Sequence, residues 1–120
     1  MKADMATRHA VLWVDHHKAS LHPTGVQSAP ARRLKAHAHP TAQHGSEVRS
    51  EHEFFAEVCE ALEAVETVLV TGSKTALADF RHYVEKHRAQ TGHRIASYQT
   101  VDHPTDHQLV ALGRSFFDRQ

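Results

Sequence analysis

His9-Ala10-Val11-Leu12-Trp13-Val14-Asp15 is apolar at five consecutive positions between polar ends. An edge strand with one wet face would alternate. A continuous run is expected of a central strand covered on both faces. Asp15-His16-His17-Lys18 then supplies a polar turn, and Ala19-Ser20-Leu21-His22 reads as a short return strand. Pro23 and Gly25 break that pattern, and a third extended segment follows at Ala31-Arg32-Arg33-Leu34-Lys35-Ala36-His37. The three together predict an antiparallel meander.

Residues 37–49 lack periodicity and are expected to form a mobile loop. Ser50 and Glu53 have the spacing of a capping box, in which each side chain satisfies a backbone N–H at a helix start. Phe54, Phe55, Val58, Cys59, Leu62 and Val65 follow at helical spacing, with a run of glutamates on the other side. Thr67–Thr71 reads as a β-branched strand ended by Gly72-Ser73. Leu77, Phe80, Val84 and His87 mark the inner side of a second helix, with Gly92 as its expected C-cap. Arg94–Val101 is the last strand. Thr105 and Gln108 form a second capping box, opening a third helix whose stripe is Leu109, Val110, Gly113, Phe116 and Phe117. The order β-β-β-α-β-α-β-α, with right-handed crossovers, predicts a ribonuclease-H-like mixed α/β sheet: three antiparallel strands, then two parallel ones, with three helices on both faces. A flavodoxin-like sheet would not begin with a meander. Residues 1–8 are expected to be a flexible N-terminus and 9–118 a single domain.

Composition agrees with one globular domain. Of 120 residues, 40% are hydrophobic and 23% charged, ordinary values for a chain able to close a core without staples. No apolar run has the length of a membrane span, and the first eight residues do not read as a signal peptide. Cys59 has no second cysteine to pair with, so a reducing, cytoplasmic setting is expected. Residues 1–50 carry seven Lys/Arg against three Asp/Glu, and residues 51–120 carry seven against eleven. The basic surface therefore belongs to the first half. Thirteen histidines would add positive charge under mild acid.

Three stretches resemble a known family: Val11-Leu12-Trp13-Val14-Asp15 with the strand after it, Val68-Leu69-Val70-Thr71-Gly72-Ser73, and Val101-Asp102-His103-Pro104-Thr105-Asp106. In this order, and over residues 9–118, the chain resembles small bacterial translational machinery proteins. These are similar to the middle domain of archaeo-eukaryotic release factors and of the ribosome-rescue factor Pelota. The resemblance implies a domain that docks on ribosomal RNA. Release factors carry a Gly-Gly-Gln loop between the third strand and the first helix, which acts in peptidyl-tRNA hydrolysis. The corresponding stretch here is His39-Pro40-Thr41-Ala42-Gln43-His44-Gly45-Ser46, and no Gly-Gly-Gln occurs in the chain. The hydrolytic role is not implied.

Arg32, Arg33 and Lys35, with His37, His39, His44 and Arg49, are the candidate RNA-binding residues, because such cations can follow a phosphate backbone. The same charges would also keep an edge strand soluble. His37, His39, His44 and His52 are candidate imidazole ligands for a transition metal, although no zinc-type spacing frames them. Asp15, Asp102 and Asp106 are the carboxylates of a two-metal nuclease reading. Each also has a simpler role, Asp15 in a turn and the other two around a helix start. Gly72-Ser73-Lys74-Thr75 could rest an anion at a helix start but lacks P-loop spacing. No serine has a nucleophile motif, Cys59 reads as core, and no cofactor is implied. Three readings follow: a non-catalytic translation-associated domain contacting ribosome or structured RNA, a metal-dependent nuclease, and a protein-protein adaptor. None of them involves a membrane.

Overall fold

The computed structural model describes residues 7–25, 30–36 and 46–119, with backbone alone at 46–50. Five strands form one sheet in the order β3-β2-β1-β4-β5. They are β1 (Thr7–Val14), β2 (Lys18–Pro23), β3 (Arg32–Lys35), β4 (Val65–Gly72) and β5 (Ile95–Thr100). β1 pairs antiparallel with β2 and parallel with β4, β2 pairs antiparallel with β3, and β4 pairs parallel with β5. The meander and the two parallel additions are the ribonuclease-H-like arrangement. The apolar run of β1 is indeed central, with Ala10, Val11, Leu12 and Val14 all fully buried.

Among the described residues four helices cover the sheet: α1 (Ser46–Leu62), α2 (Lys74–His87), a short α3 (Ala89–Gly92) and α4 (Asp106–Asp118). Ala10, Leu12 and Val14 of β1 pack with Phe54, Phe55 and Val58 of α1 and with Leu77, Phe80 and Val84 of α2. Alternate residues Val11 and Trp13 pack on the opposite face with Leu69 and Leu109, supported by Leu112, Phe116 and Phe117 of α4. The period-two alternation of a strand thus divides one apolar run between two cores. The α1/α2 core is the larger. Gly113 lets α4 approach β1, since a Cβ there would stand 2.7 Å from Thr24 Cγ2 and 3.2 Å from Val11 Cβ.

Several boundaries differ from the sequence expectation. α1 starts at Ser46, so Ser50 lies inside the helix and is not its cap. No Gly or Pro stands between Ser46 and Leu62, and nothing local stops the helix from extending back toward Gly45. The expected loop therefore gives its last four positions to α1, and residues 37–45 lie outside the described residues. Val65 opens β4 and does not close α1. α2 ends at His87 with Arg88 as cap, and Gly92 ends the separate turn of α3. That break buries Thr91 and redirects the chain into β5. His87 is exposed and does not face the core.

The capping box at α4 is present in both directions. Gln108 N–H donates to Thr105 Oγ1 at 3.1 Å, and Thr105 N–H donates to Gln108 Oε1 at 2.9 Å. Thr105→Ala is expected to cost about 1 kcal/mol. A urea titration should show a lower midpoint with an unchanged slope. An unchanged midpoint would mean that α4 is held by packing alone.

Candidate functional site

β1, β3, β4 and β5 run the same way, and the chain leaves the C-terminal ends of β3, β4 and β5 toward α1, α2 and α4. The starts of the three long helices therefore gather at one edge of the sheet, where ligands of open α/β sheets bind. Asp15 closes the β1–β2 turn at this edge. Its Oδ1 accepts from the N–H groups of His17 and Lys18, both at 2.7 Å, which is the turn role expected of it.

On the α4 face the described residues leave part of the sheet uncovered. A groove of about 590 Å³ runs beside α4, with Trp13, Ser20 and Arg33 from paired positions of β1, β2 and β3 on its floor. Trp13 Nε1–H donates to the Val101 carbonyl at 3.1 Å, fixing the floor to the segment that leads into α4. His103 and Pro104 form one wall. His103 has a φ of 41°, a left-handed conformation rare for a non-glycine residue and rarer still before proline. Beneath the groove His22 is buried and lies 2.8 Å from Ser20 Oγ. Burial lowers its pKa, Asp106 acts against that, and Arg33 adds to it.

The cations of the groove differ in how they are held. Arg33 pairs with Asp106, and this hydrogen bond holds the Asp106 carboxyl below its ordinary range. Lys18 and Lys35 stand directly opposite each other on neighbouring strands, both exposed. Among the described residues, neither lysine has a carboxylate within ion-pair distance. Like charges directly opposite on a sheet are destabilising, and an anion between them would relieve that.

The sequence candidates are distributed unevenly around this groove. Arg33 and Lys35 line it, whereas Arg32 alternates to the other face, in register with Leu21 of the α1/α2 core. His37, His39 and His44 lie outside the described residues, and of Arg49 only the helical backbone is described. Lys18 lines the groove and was not among the candidates. Its one signal was a lysine at the start of the return strand, which matters only once the hairpin register is known. Asp15, Asp102 and Asp106 do not converge. Among the described residues, one set of three ligand-bearing side chains does gather, and it is His16, Glu51 and Asp79 on the opposite face. His52 packs its ring at a tilt against Tyr83 and His87, at centroid distances of 5.3 and 5.7 Å. Ser73 caps α2 without a side-chain hydrogen bond. Burial pushes the Cys59 thiol up to about 11, in keeping with a core residue.

Comparison with solved structures gives a crystal structure of an archaeal translation termination factor, aRF1, at a TM-score of 0.58 and 13% identity. The fold is one that a release factor contains. The match covers 92% of this chain and 38% of the termination factor, so this chain spans well under half of that protein's length. No protein-family profile and no curated protein matches the sequence. The release-factor-like fold thus rests on shape. Among the described residues, no helix is long and apolar enough to cross a membrane.

Proposed function

We propose that this chain is a translation-associated domain that docks on the ribosome, or on structured RNA, through the groove beside α4. The observation that carries this reading is the facing Lys18 and Lys35, without a carboxylate partner among the described residues, next to Arg33 on a part of the sheet that α4 leaves open. Such a surface suits a phosphate backbone, whose contacts are electrostatic and independent of base sequence. The release-factor-like fold supports the same reading, and its resemblance to a release-factor middle domain gives the docking a precedent. Segment 37–45, with His37, His39 and His44, follows β3 in the sequence and leads into α1, whose first turn includes Arg49. Without Gly-Gly-Gln the domain binds and does not hydrolyse peptidyl-tRNA. It acts in the cytoplasm, where ribosomes are.

A nuclease reading would need Asp15, Asp102 and Asp106 in one coordination sphere. Asp15 is occupied by its turn and Asp106 by Arg33. A protein-protein adaptor would instead give pull-downs insensitive to RNase and to salt.

Sucrose-gradient sedimentation of tagged protein, from growing and from starved cells, tests the proposal. Co-migration with ribosomal particles that is lost after RNase or high salt is the expected result. Protein that stays at the top of both gradients overturns it.

A further inference from the structure

A second cluster lies on the other face of the sheet, at the same edge. His16 belongs to the β1–β2 turn held by Asp15, while Glu51 and Asp79 are each the sixth residue of their helices, α1 and α2. The two helices start at the same edge, which brings these positions together over the turn. His16 Nε2 lies 2.8 Å from Asp79 Oδ2 and 3.9 Å from Glu51 Oε2, and one ligand atom from each residue falls within 4.8 Å of the others. Nitrogen and oxygen ligands about 2.1 Å from a tetrahedral ion stand about 3.4 Å apart. The two distances from His16 bracket that value, and the third pair lies within 4.8 Å.

The surroundings point the same way. A cavity of about 190 Å³ adjoins Glu51 and Asp79, and three further imidazoles, His52, His82 and His87, line it with Tyr83. Two carboxylates and one neutral imidazole carry a charge of −2, which a divalent cation cancels. The donor set selects the ion. Imidazole favours zinc, cobalt and nickel over magnesium and calcium, and the absence of thiolate disfavours soft ions. Three protein ligands leave at least one coordination position open.

We propose that His16, Glu51 and Asp79 bind one divalent transition-metal ion of the zinc and cobalt type. The ion ties the β1–β2 turn to both helices of the larger core. The site is independent of the basic groove, because it uses the opposite face and none of its residues.

The test is a titration of the untagged full-length chain with Co²⁺, read by visible absorption, and with Zn²⁺, read by calorimetry and by melting temperature. One ion per chain is expected, with a rise in melting temperature. His16→Ala and Asp79→Asn should each weaken binding at least about tenfold and abolish the rise. His93→Ala, which changes an exposed histidine away from the cluster, should do neither. Asp79→Asn keeps the side chain's size and hydrogen bonding, so it reports on the ligand even where His16→Ala disturbs the turn. Unchanged affinity in both ligand variants, or equal loss in His93→Ala, overturns the proposal and leaves only scattered binding by surface histidines.

Discussion

Gly72→Ala is expected to destabilise this domain by about 3 kcal/mol or more, at the upper end of what overpacking costs. Gly72 is the last residue of β4, in register with Val14 of the central strand. A Cβ at this position would overlap the carbonyl oxygen of Val14 and crowd its side chain, with Cγ1 at 3.2 Å. The obstacle is backbone in the middle of the sheet, so no rotamer change removes it. Relief requires β1 and β4 to separate where Thr71 Oγ1–H also donates to the Leu12 carbonyl at 2.7 Å. The next residues begin α2, and the carbonyl of Gly72 accepts from Val101 N–H at 2.9 Å. A shift at Gly72 therefore reaches the sheet edge that carries both candidate sites. Urea unfolding followed by circular dichroism measures the effect. A midpoint close to that of the parent chain would show that the strands tolerate the methyl group and that the packing described for β1 and β4 is too tight.

The Lys18→Glu/Lys35→Glu double variant should weaken binding to ribosomes by roughly 100-fold while leaving stability nearly unchanged. Two charge-assisted contacts at about 1.5 kcal/mol each account for that factor. Both side chains are exposed, so the double reversal replaces one like-charge pair by another and disturbs no core contact. Arg32→Glu supplies the control. It makes the same kind of charge change on the neighbouring β3 position but on the α1 face, and it should leave binding largely intact. Equal loss in Arg32→Glu would mean that net charge, and not this face, governs association.

The frame of the fold was legible because its signals are local. Five apolar residues in β1 required cover on both sides, and Thr105 with Gln108 marked the start of α4 from side chains three residues apart. The start of α1 is not legible in the sequence, for a related reason. Ser50 and Glu53 have capping-box spacing, but a box acts only if the helix stops there, and no helix breaker stands between Ser46 and Ser50. Gly92 carries the local signature of a cap, although the chain already turns at Arg88. The site was legible as composition and not as geometry. Arg32, Arg33 and Lys35 were seen as one basic stretch, while strand alternation sends Arg32 to the other face. Lys18 gains its meaning from facing Lys35, a matter of hairpin register. His16 and Asp79, 63 residues apart, meet only through the placement of α2 over the β1–β2 turn, which no local pattern encodes.

The most direct test of the account is the salt dependence of binding between the purified chain and purified ribosomes. If Lys18, Arg33 and Lys35 contact phosphates, the logarithm of the association constant should fall linearly with the logarithm of salt concentration. Its slope should lie between about −2 and −3, and the Lys18→Glu/Lys35→Glu variant should show a much flatter line. Binding indifferent to salt, or a slope unchanged in that variant, would contradict docking through this groove.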